Sequence, residues 1–304
     1  MRIVFMGTPA FAALSLERLY SDGHDICAVV TQPDKQQNRG MKLGTSPVKE
    51  LALKHQTLIF QPQTLKDGAA ADMLSKLCPD LIAVVAYGKL LPAEILSLPR
   101  YGCINIHGSV LPKYRGSAPV QHAILNGERT TGVTSIYMSP EMDAGDIILT
   151  KTTEIGEEET AGELSDRLAV LGASLLSETI RAIASGTAPR RKQNDAEATY
   201  APPLTKNMSP IDWTKSAREI LCHIRGLNPW PVATTVLNGS LFKVFKGSGT
   251  RRRAGQLPGS IVQTGREGIE VACADGTVII KELQAPGGRR MSAADYLRGH
   301  PPCR

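Results

Sequence analysis

The segment Cys103–Pro112, CINIHGSVLP, carries polar side chains that core packing does not explain. Asn105 and His107 stand two positions apart, and Asp143 follows 36 residues after His107 in the segment MDAGD. These groups suit acyl transfer to an amine, because an amide and an imidazole can donate hydrogen bonds to the oxyanion of a tetrahedral intermediate. A carboxylate can hold the tautomer of the imidazole and help to move protons off the attacking amine. On these residues alone, the alternative of a histidine merely hydrogen-bonded at a strand end stays open.

The elements that must position these residues alternate between strand and helix. Short apolar stretches, typical of buried parallel strands, are separated by amphipathic stretches, typical of covering helices. The stretches predicted as strands include 2–6, 26–31, 81–86 and 102–106. This alternation predicts an α/β fold with a mostly parallel, Rossmann-like sheet. Residues 105 and 107 then share one face of that sheet, at the carboxyl end of a strand, where such sheets bind ligands.

The pattern changes in the last third of the chain. Residues 189–207 are rich in charge, alanine and proline, which predicts a linker. Further on, short β-rich stretches flank Asn238-Gly239 and Asp275-Gly276, pairs that favour tight hairpin turns. We therefore expect a catalytic domain over 1–188, the linker over 189–207, and a small OB-like β-barrel domain over 208–304.

The charge of the chain is unevenly distributed. From Thr205 onward there are 15 Lys and Arg against 7 Asp and Glu, a net of +8. Since the whole chain carries +6, the first 204 residues net −2. A basic second part on a near-neutral body indicates a polyanionic partner. A basic surface without a function would give the same count.

The composition disfavours several other classes of protein. No run of about 18 or more apolar residues is present, so we expect no membrane span. The opening MRIVFMGTPAF is interpreted as a strand and not as a signal peptide. The 6 cysteines are scattered, without the spacing of a zinc site or disulfide scaffold. They indicate free thiols in a reducing cytoplasm. The expected protein is cytoplasmic, without a metal site, and a monomer, although sequence does not determine the oligomeric state.

Longer segments of the chain resemble the methionyl-tRNA formyltransferase family. The similarity covers nearly the whole chain and is carried by FMGTPAFA, TQPDKQQNRGMKLGTSPVK, VVAYGKLLP, GCINIHGSVLPKYRGSAPVQ, GVTSIYMSPEMDAGD and IDWTKSAREILCHIRGLNPWP. Asn105, His107 and Asp143, hereafter the trio, match residues that the wider folate-dependent formyltransferases share. Residues 33–49 and the C-terminal region distinguish the tRNA enzymes. One departure is Val110, where the family usually has leucine.

The resemblance implies transfer of the formyl group of 10-formyltetrahydrofolate to the α-amino group of methionine on initiator Met-tRNA. The amine would attack directly, without a metal and without a covalent enzyme intermediate. Asn105 and His107 would bind the oxyanion, and Asp143 would orient His107 and assist proton removal. The folate would lie against two short segments, made of Tyr87, Gly88, Lys89, Leu90, Leu91, Ser109, Val110, Leu111 and Pro112. By composition alone, residues 84–92 fit a buried strand followed by a loop.

Basic residues outside the trio are the candidates for tRNA contact. By the resemblance, a loop at 34–49 enters the acceptor stem, with Arg39 and Lys42 as its main contacts. By composition alone that loop equally fits a solvated connection. Charge runs usually mark a solvated face, but here two of them lie in predicted loops of a barrel of the kind that often binds nucleic acid. The further candidates are Lys35, Lys113, Arg251, Arg252, Arg253, Arg289 and Arg290. Arg115 fits either a phosphate contact or a structural salt bridge.

Two other functions fit the residues less well. A formyltransferase acting on a nucleotide-linked amino sugar would share the trio, but it has no use for a basic loop and a basic barrel. A noncatalytic RNA-binding relative would have no need of all three members of the trio. Formylation assays that compare charged initiator tRNA with amino sugars separate these possibilities.

Overall fold

Two units make up the computed structural model, which describes residues 1–37, 42–250 and 255–300, with the backbone alone at 35–37 and 42–43. Each unit is assembled from several stretches of the chain. The first unit comprises Met1–Pro119, Thr131–Thr153 and Ser165–Ala201, and the second comprises Val120–Thr130, Glu154–Leu164 and Pro202–Arg304.

The elements up to residue 184 alternate between strands and helices. In chain order they are β1 (Arg2–Gly7), α1 (Ala10–Ser21), β2 (Asp25–Val30), β3 (Lys35–Gln37), β4 (Lys42–Gly44), α2 (Pro47–Lys54), β5 (Ile59–Phe60), α3 (Ala69–Ser75), β6 (Leu81–Val85), α4 (Ala93–Leu96), β7 (Cys103–His107), α5 (Pro119–Leu125), β8 (Thr130–Tyr137), β9 (Ile147–Glu154) and α6 (Ala161–Ala184). The basic segment predicted as a loop thus contains two short antiparallel strands, β3 and β4.

A seven-stranded sheet in the order β5-β2-β1-β6-β7-β8-β9 forms the first part of the fold. Strands β5, β2, β1, β6 and β7 pair in parallel, and β8 joins β7 in the antiparallel direction. Phe5 on β1 and Ile82 on β6 are fully buried. Burial of a large apolar side chain of this kind stabilises a fold by about 1.5–3 kcal/mol. The predicted mostly parallel sheet is confirmed.

The remaining α-helices and strands belong to the second part of the chain. They are α7 (Ala217–Gly226), β10 (Ala233–Leu237), β11 (Ser240–Thr250), β12 (Ile261–Gly265), β13 (Gly268–Ala272), β14 (Thr277–Gln284), β15 (Arg290–Ser292) and α8 (Ala293–Gly299). The strands form an antiparallel sheet in the order β10-β11-β14-β13-β12, with β15 against β14. The predicted separate β domain is confirmed.

Local sequence signals account for the boundaries of several elements. Asn238 and Gly239, with φ of 48° and 76°, turn the chain between β10 and β11 as their types predict. Helix α7 begins at a capping box, in which Ser216 and Glu219 each bind the backbone N–H of the other. Ile220 and Ile224 on this helix are buried in the same core as Val244 of β11. The helix therefore covers one face of the second sheet.

No helix in residues 1–37, 42–250 and 255–300 is long and apolar enough to cross a membrane. The cysteines in those ranges have free thiols, namely Cys27, Cys78, Cys103, Cys222 and Cys273. Burial raises the pKa of the Cys103 thiol to about 12. That thiol stays protonated and unreactive at neutral pH.

Candidate active site

The carboxyl end of β7 carries two members of the trio. Asn105 pairs in register with Val84 of β6 on one side and with Ile136 of β8 on the other, and His107 pairs with Thr134 of β8. His107 is buried, whereas Asn105 is partly exposed. Within the described chain the side-chain amide of Asn105 makes no hydrogen bond, so both its donors and its oxygen are available to a ligand.

The proton on His107 is placed by a backbone carbonyl. Its Nε2 lies 2.8 Å from the carbonyl oxygen of Tyr114. A carbonyl can only accept, so Nε2 carries the proton and Nδ1 of the neutral ring has a free lone pair. Nδ1 faces Asp143 Oδ2 at 3.6 Å. A proton taken up at Nδ1 would therefore lie beside a partly exposed carboxylate.

Asp143 is held in an unusual backbone conformation. Its φ is +52°, in the left-handed region that few non-glycine residues adopt. The backbone N–H of Gly116 donates to Asp143 Oδ2 at 2.9 Å. The side-chain amide of Gln193 donates to the carbonyl oxygens of Asp143 and Gly145, at 2.7 and 2.8 Å. Contacts from distant parts of the chain thus fix this loop where it faces His107.

The segment that follows β7 is a buried, tightly bonded turn. Ser109 donates from its hydroxyl to the carbonyl of Lys113 at 2.6 Å. Thr134 donates to the carbonyl of Ser109 at 2.7 Å and accepts from the N–H of Leu111 at 3.2 Å. Val110 remains partly exposed. These hydrogen bonds join the turn to itself and to β8, so it forms a wall directly after His107.

In the second predicted folate segment, residues 87–91, three side chains are engaged within the protein. The side chains of Tyr87 and Leu91 are buried in the core of the sheet, and Lys89 donates to the carbonyls of Pro62 and Gln63 at 2.9 and 2.7 Å. Leu90 is exposed, and Gly88 has a φ of +83°. Burial raises the pKa of Tyr87 to about 12, so this hydroxyl stays neutral.

The predicted tRNA contacts fall into three groups. Arg39, Arg251, Arg252 and Arg253 lie outside the described residues, as do the side chains of Lys35 and Lys42. Lys113 and Arg289 are exposed. Arg290 binds Glu282 through two parallel contacts of 2.7 and 2.8 Å and lies over the ring of Phe245. Its charge is thereby compensated within the second sheet.

Arg115 makes a structural salt bridge. It is only 4% exposed, and its guanidinium binds Gln193 Oε1 at 3.1 and 2.9 Å and Asp195 Oδ1 at 2.7 Å. For Arg115 the sequence allowed a phosphate contact or a structural salt bridge, and these contacts favour the salt bridge.

Comparison with known proteins decides the family. The Formyl transferase model matches residues 1–180, and the model of the Formyl transferase C-terminal domain matches residues 203–301. A curated methionyl-tRNA formyltransferase from Acetivibrio thermocellus is 48% identical over 301 residues, covering 99% of this chain and 97% of that relative. One from Clostridioides difficile is 45% identical over 300 residues, with 99% and 97% covered. The chain belongs to the methionyl-tRNA formyltransferase family.

Solved structures share this fold. The solved N-formyltransferase of Helicobacter canadensis, in complex with folinic acid and dTDP-3-aminofucose, has a TM-score of 0.70 and 21% identity, covering 95% of this chain and 99% of that one. At this identity the likeness shows the shared fold alone. The resemblance to methionyl-tRNA formyltransferases is confirmed by the curated relatives, and their names do not favour the amino-sugar alternative.

Within this formyltransferase, sequence reasoning missed three groups that hold His107 and the loop of Asp143. These are the Tyr114 carbonyl, the Gly116 N–H and the side chain of Gln193. A glycine after Arg115 was the one available signal. Gly116 has a φ of +117°, and an added Cβ would lie 2.7 Å from the carbonyl oxygen of Ala201, so a side chain is excluded there. Across the described ranges, no group of three or more His, Cys, Asp and Glu side chains is placed to hold a metal ion.

Proposed function

We propose that this chain transfers the formyl group of 10-formyltetrahydrofolate to the α-amino group of methionine esterified to initiator tRNA. The product, N-formylmethionyl-tRNA, serves translation initiation. One observation carries the proposal. His107 is buried on the strand that presents the unbonded amide of Asn105, and Asp143 Oδ2 lies 3.6 Å from its Nδ1, in a chain whose curated relatives at 45% and 48% identity are methionyl-tRNA formyltransferases.

The methionine amine attacks the formyl carbon directly. A new C–N bond forms, the formyl oxygen becomes an oxyanion, and the bond from carbon to N10 of the folate then breaks. The amide of Asn105 donates hydrogen bonds to that oxyanion, where charge develops in the transition state, and Nδ1–H of His107 donates to it when the ring carries a proton at that atom. Because the amine is the nucleophile, no covalent bond to the enzyme is needed. Alignment of donor and acceptor supplies much of the remaining acceleration.

Proton movement is assigned to His107 and Asp143. The attacking amine must lose a proton, and N10 must gain one before tetrahydrofolate leaves. Since Nε2 of His107 is occupied by the Tyr114 carbonyl, Nδ1 is the atom that takes part, and Asp143 Oδ2 faces it. The carboxylate stabilises the charged ring and accepts the proton of the amine, and Nδ1–H of His107 gives a proton to N10, so one proton leaves the amine and one reaches the folate.

The substrates are proposed to bind on two sides of this centre. Residues 87–91 and the turn at 109–112 line the folate slot, and the folinic acid complex of the Helicobacter canadensis enzyme supports a folate donor. The basic residues contact tRNA: Arg39, Lys42, Lys35, Lys113, Arg251, Arg252, Arg253, Arg289 and Arg290. We further propose domains at 1–188 and 208–304 joined by a linker at 189–207, and a cytoplasmic monomer.

The full-length protein tests the proposal directly. It is incubated with 10-formyltetrahydrofolate and charged initiator tRNA, and the amino acid released from the tRNA is analysed by mass. N-formylmethionine is expected. Parallel reactions contain a nucleotide-linked amino sugar in place of the tRNA. If only the sugar is formylated, the acceptor is a nucleotide-linked amino sugar and not tRNA. If the protein binds tRNA but forms no formylated product, it is a noncatalytic RNA-binding relative.

Formyl transfer is expected to survive removal of transition metals. The oxyanion is stabilised by side-chain donors, so no Lewis acid is required. The enzyme is treated with a transition-metal chelator, which is removed before the assay so that Mg²⁺ bound to tRNA is undisturbed, and kcat is measured. A loss of about tenfold or more that zinc restores would contradict this and make His107 and Asp143 candidate ligands.

Arg289→Ala is expected to weaken tRNA binding without lowering kcat. Arg289 is exposed, and no partner in the described chain compensates its charge, unlike Arg290. The loss of one phosphate contact should raise KM for tRNA a few-fold and lower the slope of log KM against log salt by about 1. Lys76→Ala, which removes an exposed charge at the end of α3, is the control. An unchanged salt slope in Arg289→Ala would remove this residue from the interface.

A further inference from the structure

Gln193 joins the loop of Asp143 to a buried arginine. Its Nε2 donates to the carbonyl oxygens of Asp143 and Gly145, at 2.7 and 2.8 Å. Its Oε1 accepts from Nε and from the terminal nitrogen of Arg115, at 3.1 and 2.9 Å. A glutamine amide has two N–H donors and two acceptor lone pairs. All of them are used.

We infer that Gln193 is a positioning residue for Asp143. The inference rests on the proposed function, in which Asp143 stabilises the charged ring of His107. Asp143 has a left-handed backbone, at a φ of +52°, and such a conformation persists only where its surroundings hold it. Gln193 holds the backbone of the loop on both sides of residue 144, while Gly116 binds the carboxylate.

Arg115 determines which way the amide of Gln193 points. The guanidinium carries only donors, so it accepts nothing from the NH₂ group and requires the oxygen of the amide on its side. The NH₂ group must therefore face the loop carbonyls. Arg115 is 4% exposed and is itself held by Asp195 at 2.7 Å. The direction of the two hydrogen bonds to the loop is thus set by a buried charge.

The backbone around Gln193 is fixed at both ends. We call residues 190–201 the connector. Arg191 exchanges two backbone hydrogen bonds with Ile147, at 2.8 and 3.0 Å. Further along, Thr199 accepts from the N–H of Arg115 at 2.8 Å through its carbonyl and from the N–H of Tyr114 at 2.9 Å through its hydroxyl. Tyr114 supplies the carbonyl that binds His107. The connector thereby holds both partners of that histidine.

Two substitutions separate positioning from packing. Gln193→Ala removes both hydrogen bonds to the loop. Gln193→Glu keeps the size of the side chain and the contact with Arg115, but a carboxylate cannot donate to the loop carbonyls. We expect both variants of the full-length protein to lose about 10- to 100-fold in kcat through misplacement of Asp143, with KM for tRNA and folate within about threefold of normal. A side chain that only packs against Arg115 would leave Gln193→Glu with normal kcat, which would overturn the inference.

Asn194→Ala is the matched control. It removes a neighbouring amide whose hydrogen bonds stay local, to Ala196 and Glu197, and kcat should remain within about twofold of normal. Thermal unfolding of each variant reports whether the fold is kept. If Gln193→Ala does not fold, Gln193→Glu carries the test.

A double-mutant cycle shows whether Gln193 acts through Asp143. In an Asp143→Ala background, Gln193→Ala should lower kcat by no more than about a further twofold, because residues that act as a unit are not additive. If Gln193→Ala lowers kcat as much in the Asp143→Ala background as in the unaltered protein, the inference is overturned. Formation of N-formylmethionine by the unaltered protein is measured alongside. If the unaltered protein forms no N-formylmethionine, the proposed function is wrong. If it does and both Gln193 variants have normal activity, only the inference about Gln193 is wrong.

Discussion

His107→Ala should lower kcat by about 100-fold or more, as expected when a donor to a developing oxyanion is lost. The fold should be retained, since the ring makes one backbone hydrogen bond, to Tyr114, and one contact with Asp143. Asn105→Ala should be similarly damaged, because the amide is proposed to bind the same oxygen. Single-turnover rates at saturating folate and tRNA measure the effect on chemistry apart from product release.

A second histidine provides the control for this experiment. His24 follows α1 and lies outside the proposed site, so His24→Ala should keep kcat within about twofold of normal. Near-normal single-turnover rates in His107→Ala or Asn105→Ala would mean that the residue concerned has been given the wrong role. The other of these two residues would then be the only side chain proposed to stabilise the oxyanion.

Gly145→Ala is the substitution expected to damage both stability and activity. A Cβ at residue 145 would lie 1.7 Å from the carbonyl oxygen of Tyr137, far inside van der Waals contact. The loop must therefore move away from β8, to which it is bonded through Tyr137 N–H and the Asp146 carbonyl at 2.9 Å. Overpacking of this kind costs about 1–3 kcal/mol or more, and displacement of Asp143 should lower kcat by about 100-fold.

Thermal unfolding and kcat are measured together for this variant. A loss of 1 kcal/mol corresponds to a shift of about 2–4 °C in the unfolding midpoint of a domain of this size. Gly265→Ala is the control, because an added Cβ there meets nothing within 4 Å. If Gly145→Ala keeps both a normal midpoint and normal kcat, the close approach of this loop to β8 is not required by the site.

Much of the fold was readable from the pattern of apolar residues. Stretches 2–6 and 102–106 were expected as strands, and β1 and β7 occupy Arg2–Gly7 and Cys103–His107. Burial on both faces produces continuous apolar runs in parallel strands, which is a local signal. The Asn238-Gly239 turn was readable for a similar reason, because only a few residue types adopt two successive positive φ angles.

The pattern of apolar residues did not predict which segments of the chain belong to which of the two units. Val120–Thr130 and Glu154–Leu164 belong to the second unit, although they lie far from it in sequence. Arg218 donates to the carbonyl of Gly127, and Arg225 to that of Glu159. Such long-range bonds to backbone carbonyls leave no periodic trace in either segment.

By itself the sequence determined which groups are available for chemistry, an amide and an imidazole two positions apart and a carboxylate further on, and the family whose segments surround them. Only the tertiary structure decided how those groups are held. The carbonyl of Tyr114 sets the proton of His107, and Gln193 reaches across 50 residues to the loop of Asp143. The reason is physical. A backbone carbonyl is present at every residue, so which one accepts a hydrogen bond depends on where the folded chain brings it, not on residue type.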